Sequence, residues 1–389
     1  MSKLTALIRE MCPNGVEYRP LGEVIERLRT GLNPRKNFVL NSPGATNFYV
    51  TVRELGGFRI ETSDKTDRVD NEGLRLIQNR SGLKAGDVLF SGTGTIGRTA
   101  LVSNDPTNWN IKEGVYAITP CHNLLDSRFL IYVLNSSGFK DTALSIAAGG
   151  TVKSISMKNL QLLLVPVPPL EVQQEIVRVL DAFTDLEQSL VAELELRQKQ
   201  FEEYRLQAFG KLDADYVGLQ SIATIGTGSR NTNEAVDKGA YPFYTRGEEV
   251  LFSDEYDFDE TSIITAGDGV GVGKTMHFAS GKFALHQRAY RINITDSCVE
   301  PRFVFHLMKA TFLNYMIRNS VHASVTSVRK RMLDDFPVPV LATEVQQDIV
   351  SKLDAFESLI QSIEQEIALR RKQYEFYRDE LLSLPPKEI

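Results

Sequence analysis

Apolar residues recur alternately four and three apart from Ile176 onward: Ile176, Leu180, Phe183, Leu190, Leu194, Phe201 and Tyr204, interrupted at Glu187 and Arg197. A second run keeps the same spacing through Ile349, Leu353, Phe356, Ile360, Ile363, Ile367, Tyr374 and Tyr377, interrupted at Arg370. This is a heptad seam, and it predicts two helices of about 39 residues, each ~58 Å long at 1.5 Å per residue. Prolines punctuate them: Val165 to Leu170 and Phe336 to Pro339 close the block before each helix, and Pro385-Pro386 close the second. The blocks between read as mixed. FYVTV, DVLFSG, SIITAG and AYRINI have strand character, and Ser127 to Gly138 and Pro301 to Asn319 have helix character.

The two helices are copies. VQQEIVRVLDAF (Val172 to Phe183) returns as VQQDIVSKLDAF (Val345 to Phe356), 345 − 172 = 173 residues later. At that offset Ser154 falls on Ser327, Leu160 on Leu333, VPVP (Val165 to Pro168) on VPVL (Val338 to Leu341), Arg197 on Arg370 and Tyr204 on Tyr377. DVLFSGTGTIGRTALV (Asp87 to Val102) resembles TSIITAGDGVGVGKTMHF (Thr261 to Phe278) more loosely, as SRFLIYVL (Ser127 to Leu134) does PRFVFHLM (Pro301 to Met308). One unit of about 170 residues is used twice, which divides the chain into blocks 1–165 and 212–340 and helical segments 166–211 and 341–389. Two matched seams in one chain favour pairing with each other over pairing with a second chain.

With 389 residues, 42% apolar and 24% charged, the chain is long enough for two globular cores. Neither a run of roughly 20 apolar residues nor a charged-then-apolar leader is present, so the expected compartment is the cytoplasm. Cys12, Cys121 and Cys298 fit no metal or disulfide spacing, and no metal site is expected. The net charge of −6 is uneven: residues 1–165 carry 20 Lys and Arg against 15 Asp and Glu, whereas 212–340 carry 13 against 16. The two helical segments are −4 each.

GDGVGVGKT (Gly267 to Thr275) invites a phosphate-loop reading, but Asp268 stands where GxxxxGK needs its first glycine, and GTGTIGRT (Gly92 to Thr99) has Arg98 in place of the lysine. TALV and TMHF follow as strands, where a phosphate loop must open a helix. No Pro-Pro-aromatic methyltransferase motif and no GxSxG occur, and no catalytic residue is assigned.

VPVPPLEVQQEIVRVLDAF and its copy VPVLATEVQQDIVSKLDAF resemble the conserved-region signature of specificity subunits of type I restriction-modification enzymes. GDVLFSGTGTIGRTALV and YPFYTRGEEVLFSDEYDFDETSIITAGDGVGVGK are similar to the core of that family's target-recognition domains. The resemblance covers nearly the whole chain. It implies an α+β, mixed α/β fold with an internal pseudo-twofold repeat, in which an antiparallel coiled coil separates two target-recognition domains. It also implies a non-catalytic subunit that binds double-stranded DNA at a split sequence. Two adenine-methyltransferase subunits, and ATP-dependent restriction subunits, would assemble on it. No cofactor is expected in this chain; S-adenosylmethionine, ATP and Mg belong to the partners. One departure is Val340-Leu341-Ala342-Thr343 in place of Val167-Pro168-Pro169-Leu170, which implies a less rigid entry to the second helix.

Base reading is expected from Arg, Lys, Asn and Gln on loops, and phosphate contact from basic clusters. Candidates are Arg35, Lys36, Arg80, Arg98 and Lys153 in the first block and Arg230, Arg246, Lys274, Arg329, Lys330 and Arg331 in the second, while Tyr49 and Tyr244 are assigned to the core. The alternatives are a coiled-coil scaffold without DNA sequence preference and a nucleotide-binding enzyme using residues 267–275.

Overall fold

The computed structural model describes residues 3–35, 37–149, 152–210, 212–269, 271–319 and 327–387. The chain divides into two compact units, residues 1–189 with 367–389 and residues 190–366. The blocks expected from the sequence end where the helices begin, but each compact unit also takes a share of both long helices.

The first unit starts with α1 (Lys3–Met11), β1 (Tyr18–Pro20), β2 (Ile25–Thr30), β3 (Asn47–Val50), β4 (Arg68–Val69) and α2 (Asn71–Ser81). It continues through β5 (Val88–Ser91), β6 (Thr99–Leu101), β7 (Trp109–Ile111), β8 (Val115–Pro120), α3 (Ser127–Asn135), α4 (Ser137–Ser145), α5 (Met157–Leu162) and β9 (Leu164–Pro166) to the long helix α6 (Leu170–Ala208). The main sheet runs β2-β8-β5-β6 and a smaller one β4-β3-β7, in which β3 and β7 are parallel. All four residues of β5 are buried, which is why its sequence reads VLFS without a polar alternation. The helix expected over Ser127 to Gly138 is instead two: Ser136 leaves helical geometry (ψ 149°) and caps α4 by accepting the Phe139 amide.

The second unit follows the same plan, with strands in place of α2 and one helix in place of α3 and α4. After α6 come β10 (Tyr216–Gly218), β11 (Ala223–Thr227), β12 (Tyr241–Tyr244), β13 (Leu251–Ser253), β14 (Phe258–Asp259), β15 (Ser262–Ala266), β16 (Met276–Ala279), β17 (Lys282–Leu285) and β18 (Ala289–Ile294). Then follow α7 (Pro301–Asn319), α8 (Lys330–Asp334), β19 (Pro337–Pro339) and the second long helix α9 (Thr343–Leu382). Its sheets run β11-β18-β15-β16 and β13-β12-β17-β14, and β12 and β17 are the parallel pair.

The repeated VQQ and LDAF residues anchor each long helix to its unit. Gln173 is fully buried; it accepts the Asp126 amide (2.8 Å) and donates to the carbonyls of Leu124 (2.7 Å) and Pro168 (2.8 Å). Gln346 does the same, accepting from Glu300 (2.9 Å) and donating to Cys298 (2.9 Å) and Leu341 (2.8 Å). The helix entries also match. Pro169 O accepts the amides of Val172 and Gln173 at 2.9 and 3.1 Å, and Ala342 O those of Val345 and Gln346 at 3.0 and 3.1 Å. The loss of prolines in the second copy therefore leaves the entry geometry unchanged, because the glutamine holds it.

Two turns on, Asp181 accepts from Arg128 and from the Tyr132 hydroxyl, both at 2.6 Å, and Asp354 takes Arg302 (2.9 Å) and His306 (2.8 Å). Burial holds His306 below its ordinary pKa against the pull of Asp354.

The seam residues separate into two groups. Ile176 and Leu180 lie in the first unit's core beside Leu130 and Leu134, and Ile349 and Leu353 lie in the second unit's core beside Phe303 and Leu307. Along the middle of the helices the seam positions Leu190, Leu194, Phe201, Tyr204, Ile360, Ile363, Ile367 and Tyr374 are the shielded ones. Within the first unit Phe183 stacks on Tyr377 (ring centroids 5.5 Å) and Glu187 pairs with Arg371 (2.7 Å). Within the second, Phe356 lies 6.2 Å from Phe201 and 6.0 Å from Tyr204. Tyr377, expected inside the seam, is 38% exposed and sits at its rim.

The chain's two ends meet in the first unit. Val16 N donates to Pro385 O (2.7 Å), Lys387 N donates to Val16 O (2.9 Å), and Leu382 and Leu384 are buried in the core. Lys3 and Arg178 hydrogen-bond the Glu175 carboxylate and hold its pKa at about 2.

Replacing Gln173 with Ala strands one buried amide and two carbonyls, at about 1–3 kcal/mol per unsatisfied group where water cannot reach. Gln173→Ala is expected to cost about 2–5 kcal/mol in urea unfolding, whereas the exposed neighbour change Gln174→Ala stays within about 0.5 kcal/mol.

Candidate nucleic-acid interface

The glycine loops are hairpin connections. Gly92 to Arg98 joins the antiparallel pair β5 and β6, and Gly267 to Thr275 joins β15 and β16. Several of their amides are taken within the protein. Gly92 N donates to Gly114 O (2.8 Å), Gly94 N to Lys153 O (3.0 Å), Gly97 N to Ser91 O (3.0 Å) and Arg98 N to the Ser91 hydroxyl (2.8 Å). In the second unit Gly267 N donates to Arg288 O (2.8 Å), and Lys274 N and Thr275 N to Gly271 O (3.0 and 2.8 Å). A phosphate cradle needs these groups free. The nucleotide-binding reading of residues 267–275 is not favoured, because the loop opens the strand β16 and not a helix.

Each loop is tied to the segment that leads into the short helix before the domain's last strand. Ile155 N donates to Gly92 O (2.9 Å), and Val328 N to Gly267 O (2.8 Å). Lys153 and Arg329 flank these contacts, so the tie brings a cation from a distant part of the sequence to each hairpin.

In the first unit an open cleft of about 890 Å³ lies beside the hairpin, and Arg35, Arg53, Arg80 and Lys112 reach it along with Asp67 and Glu113. Arg80 stands in the last turn of α2. Arg35 is held in the left-handed region (φ 33°), where a non-glycine residue is uncommon. Arg35, Arg80 and Lys153 are exposed and have no ion-pair partner among the described residues. Arg98 is exposed too, but its guanidinium rests on the carbonyls of Val52 (3.1 Å) and Arg53 (3.5 Å). Lys36 lies outside the described residues. Tyr49 is buried and bonds Leu32 O (2.8 Å).

In the second unit the candidates part company. Arg230 is 15% exposed and gripped by Asp257 (3.0 Å), Glu255 (3.2 Å) and Glu234 (3.7 Å), so its charge holds the fold together and is closed to a ligand. Lys330 and Arg331 are paired one turn on with Asp334 (2.8 Å) and Asp335 (3.3 Å), which takes most of the charge from that basic run. Arg246 meets Asp268 at 2.7 Å, and Arg288 takes the other oxygen at 3.1 Å. The hydrogen bond from Arg246, with Arg288 beside it, holds the Asp268 carboxyl below the usual carboxylate range. Lys274 and Arg329 remain exposed with no ion-pair partner among the described residues. Tyr244 packs on Phe283 (5.8 Å), as assigned.

Arg53, Lys112 and Arg288 join the faces although the sequence reading passed over them. Lys112 and Arg288 sit in the turns that follow β7 and β17, a position that only the strand pairing reveals.

A donor set of His306, Asp354 and Glu357 lies within 4.8 Å, but Arg302 already bonds both carboxylates (2.9 and 2.7 Å), supplying the positive charge a cation would bring.

Two units on one plan, each turning loops and cations outward from a sheet, form a tandem recognition module. The model of the type I restriction modification DNA specificity domain matches residues 13–196 and 212–369, and the chain belongs to that family. It is 31% identical over 250 residues to the type I restriction enzyme EcoR124I/EcoR124II specificity subunit of Escherichia coli. That match takes in 57% of this chain and 62% of the relative's length. It is 25% identical to the EcoprrI specificity subunit of Escherichia coli across 93% of both chains. The crystal structure of a type I restriction-modification S subunit from M. genitalium shares the fold, with a TM-score of 0.60 at 14% identity over 94% of this chain and 96% of that one. No helix among the described residues is long and apolar enough to cross a membrane.

The two kinds of cation predict opposite phenotypes. Arg230→Ala removes the partner of three carboxylates and lowers the melting temperature by several degrees. Lys274→Ala leaves the melting temperature unchanged within about one degree, because exposed unpaired charges contribute little to stability. Differential scanning calorimetry of both variants checks this.

Proposed function

We propose that this chain is the non-catalytic specificity subunit of a type I restriction-modification complex and that it reads a split DNA target, one half with each unit. The observation that carries this is one architecture used twice with the same helix anchors and different loop chemistry. Gln173, Asp181, Gln346 and Asp354 are matched, whereas the exposed cations of the two faces are not. The family membership and the relatives named above support it.

In this reading the chain is an internal pseudo-twofold repeat whose two long helices run as an antiparallel coil, and the pairings of Phe183 with Tyr377 and of Phe356 with Phe201 support that direction. The coil is a ruler. Its ~58 Å limits the gap between half-sequences to about 17 base pairs at 3.4 Å each.

Two modification subunits seat on the helices. Leu186 and Leu359 are 41% and 40% exposed, and Leu196 and Leu369 are 53% and 61% exposed. Both pairs lie 173 residues apart, the repeat offset, so the helices offer the same apolar contact twice. Adenine methylation with S-adenosylmethionine, and ATP- and Mg-dependent translocation or cleavage by restriction subunits, belong to those partners. The complex works in the cytoplasm. The acidic second block leaves much of the DNA affinity to the assembled complex.

Co-expression with a cognate methyltransferase subunit is expected to give a complex that methylates adenines in one split motif. The chain alone should bind DNA weakly, with affinity falling steeply in salt. Equally tight sequence-specific binding by the chain alone refutes the shared-affinity part, and failure to form any complex refutes the assignment. Inserting one heptad in register into both helices adds about 10 Å, or about three base pairs, to the gap in the methylated motif. Both half-sequences stay unchanged; an unaltered gap refutes the ruler.

A further inference from the structure

A matched pair of exposed side chains stands at one turn of each unit, and neither the fold nor the cation inventory accounts for it. In the first unit the turn joins β7 to β8: Val115 N donates to Lys112 O (3.1 Å), and Gly114 takes a positive φ of 92°. Glu113 occupies the turn's first corner, exposed, and the Asn33 amide nitrogen donates to its Oε2. In the second unit the turn joins β17 to β18: Ala289 N donates to His286 O (3.0 Å), and Gln287 occupies the same corner. There the Gln287 amide nitrogen donates to Asn231 Oδ1.

The backbone enforces both pairings. A Cβ on Gly31 would lie 1.7 Å from Ile111 O, and one on Gly228 1.9 Å from Leu285 O. Each glycine therefore lets the asparagine loop press against the strand that enters the turn, so that Asn33 and Asn231 are held where they meet the corner residue. Both turns adjoin their glycine hairpins, since Gly92 N bonds Gly114 O and Gly267 N bonds Arg288 O.

The two corners offer different hydrogen bonds. A carboxylate only accepts. With Oε2 taken by Asn33, Glu113 keeps Oε1, on the cleft that Arg35 and Lys112 also line. A negative group among phosphate-binding cations repels the backbone, and it becomes useful only against an amine on a base edge, cytosine N4 or adenine N6. Gln287 keeps its Oε1 and one amide hydrogen, a donor and an acceptor side by side, which matches adenine N6 and N7.

We propose that Glu113 and Gln287 are specificity-determining residues, with Glu113, oriented by Asn33, reading an amine-bearing base in one half-sequence and Gln287, oriented by Asn231, reading an adenine in the other. This rests on the assignment of the chain as a DNA-specificity subunit. The corner residue differs between the units, so the two half-sequences need not carry the same base at the corresponding position.

The test is selection of bound sequences from randomised duplex DNA by the complex with its methyltransferase subunit, comparing wild type with Glu113→Ala, Glu113→Gln, Gln287→Ala and Gln287→Glu. Each Ala variant is expected to lose roughly tenfold to hundredfold discrimination at one position of one half-sequence, with the other half intact. Glu113→Gln shifts that position toward adenine, and Gln287→Glu shifts its own toward cytosine. The Glu113 and Gln287 variants must affect opposite halves. An unchanged motif, loss of preference in both halves at once, or both sets acting on the same half overturns the proposal while leaving the assignment in place. A wild-type complex that selects no split motif overturns the assignment and the base-reading corners with it.

Discussion

A glutamine that satisfies three backbone groups at once fixes where each long helix leaves its unit. Gln173 and Gln346 close the second-last carbonyl before the long helix, a carbonyl of the loop preceding the domain helix, and that loop's last amide. A buried amide with every bond made is directional in a way apolar packing is not, so the helix starts at one angle and one register. The aspartates two turns on add a second fixed point through Arg128 and Tyr132 or Arg302 and His306. Two points define a line, and the line carries everything downstream.

This arrangement separates what must be constant from what must vary. Between the anchors and the outward loops stands a sheet with one wholly buried inner strand, β5 in one unit and β15 in the other. Packing at that density tolerates few changes of volume. The hairpins and turns at its rim bury little, and they carry residues as unlike as Gly114 and Arg288 at equivalent corners. Charge follows the same division: Arg230 is consumed inside its carboxylate cage, while Arg80 and Lys274 face solvent.

Much of this was legible in the sequence because amphipathic spacing survives folding. The seam, the offset of 173 and the strands FYVTV, DVLFSG, SIITAG and AYRINI all lie where the pattern puts them. A stripe does not say which partner covers it, and so Ile176, Leu180, Ile349 and Leu353 read as coil residues although they complete domain cores. The VQQ repeat is plain, but nothing local distinguishes the buried first glutamine from its exposed neighbour. Arg230 and Arg80 look alike in sequence because the carboxylates that neutralise Arg230 arrive from Glu255 and Asp257, about 25 residues on. The sequence already told against a phosphate loop, since TALV and TMHF read as strands, and β6 and β16 stand there. One legible signal was passed over: Thr-Gly shortly precedes an asparagine at both Gly31 and Gly228, early in each block.

The hydrogen bonds that join Val16 to Pro385 and Lys387, with Leu382 and Leu384 inside the same core, set the order of events at the ribosome. The unit translated first is the one finished last. Its core stays open until the final segment emerges, some 200 residues after Ser189, which takes on the order of 10–40 s at cellular elongation rates. Residues 190–366 contain no late arrival and can fold meanwhile. A chain truncated before Leu382 would therefore carry a sound second unit and an unfinished first one with exposed apolar core surface.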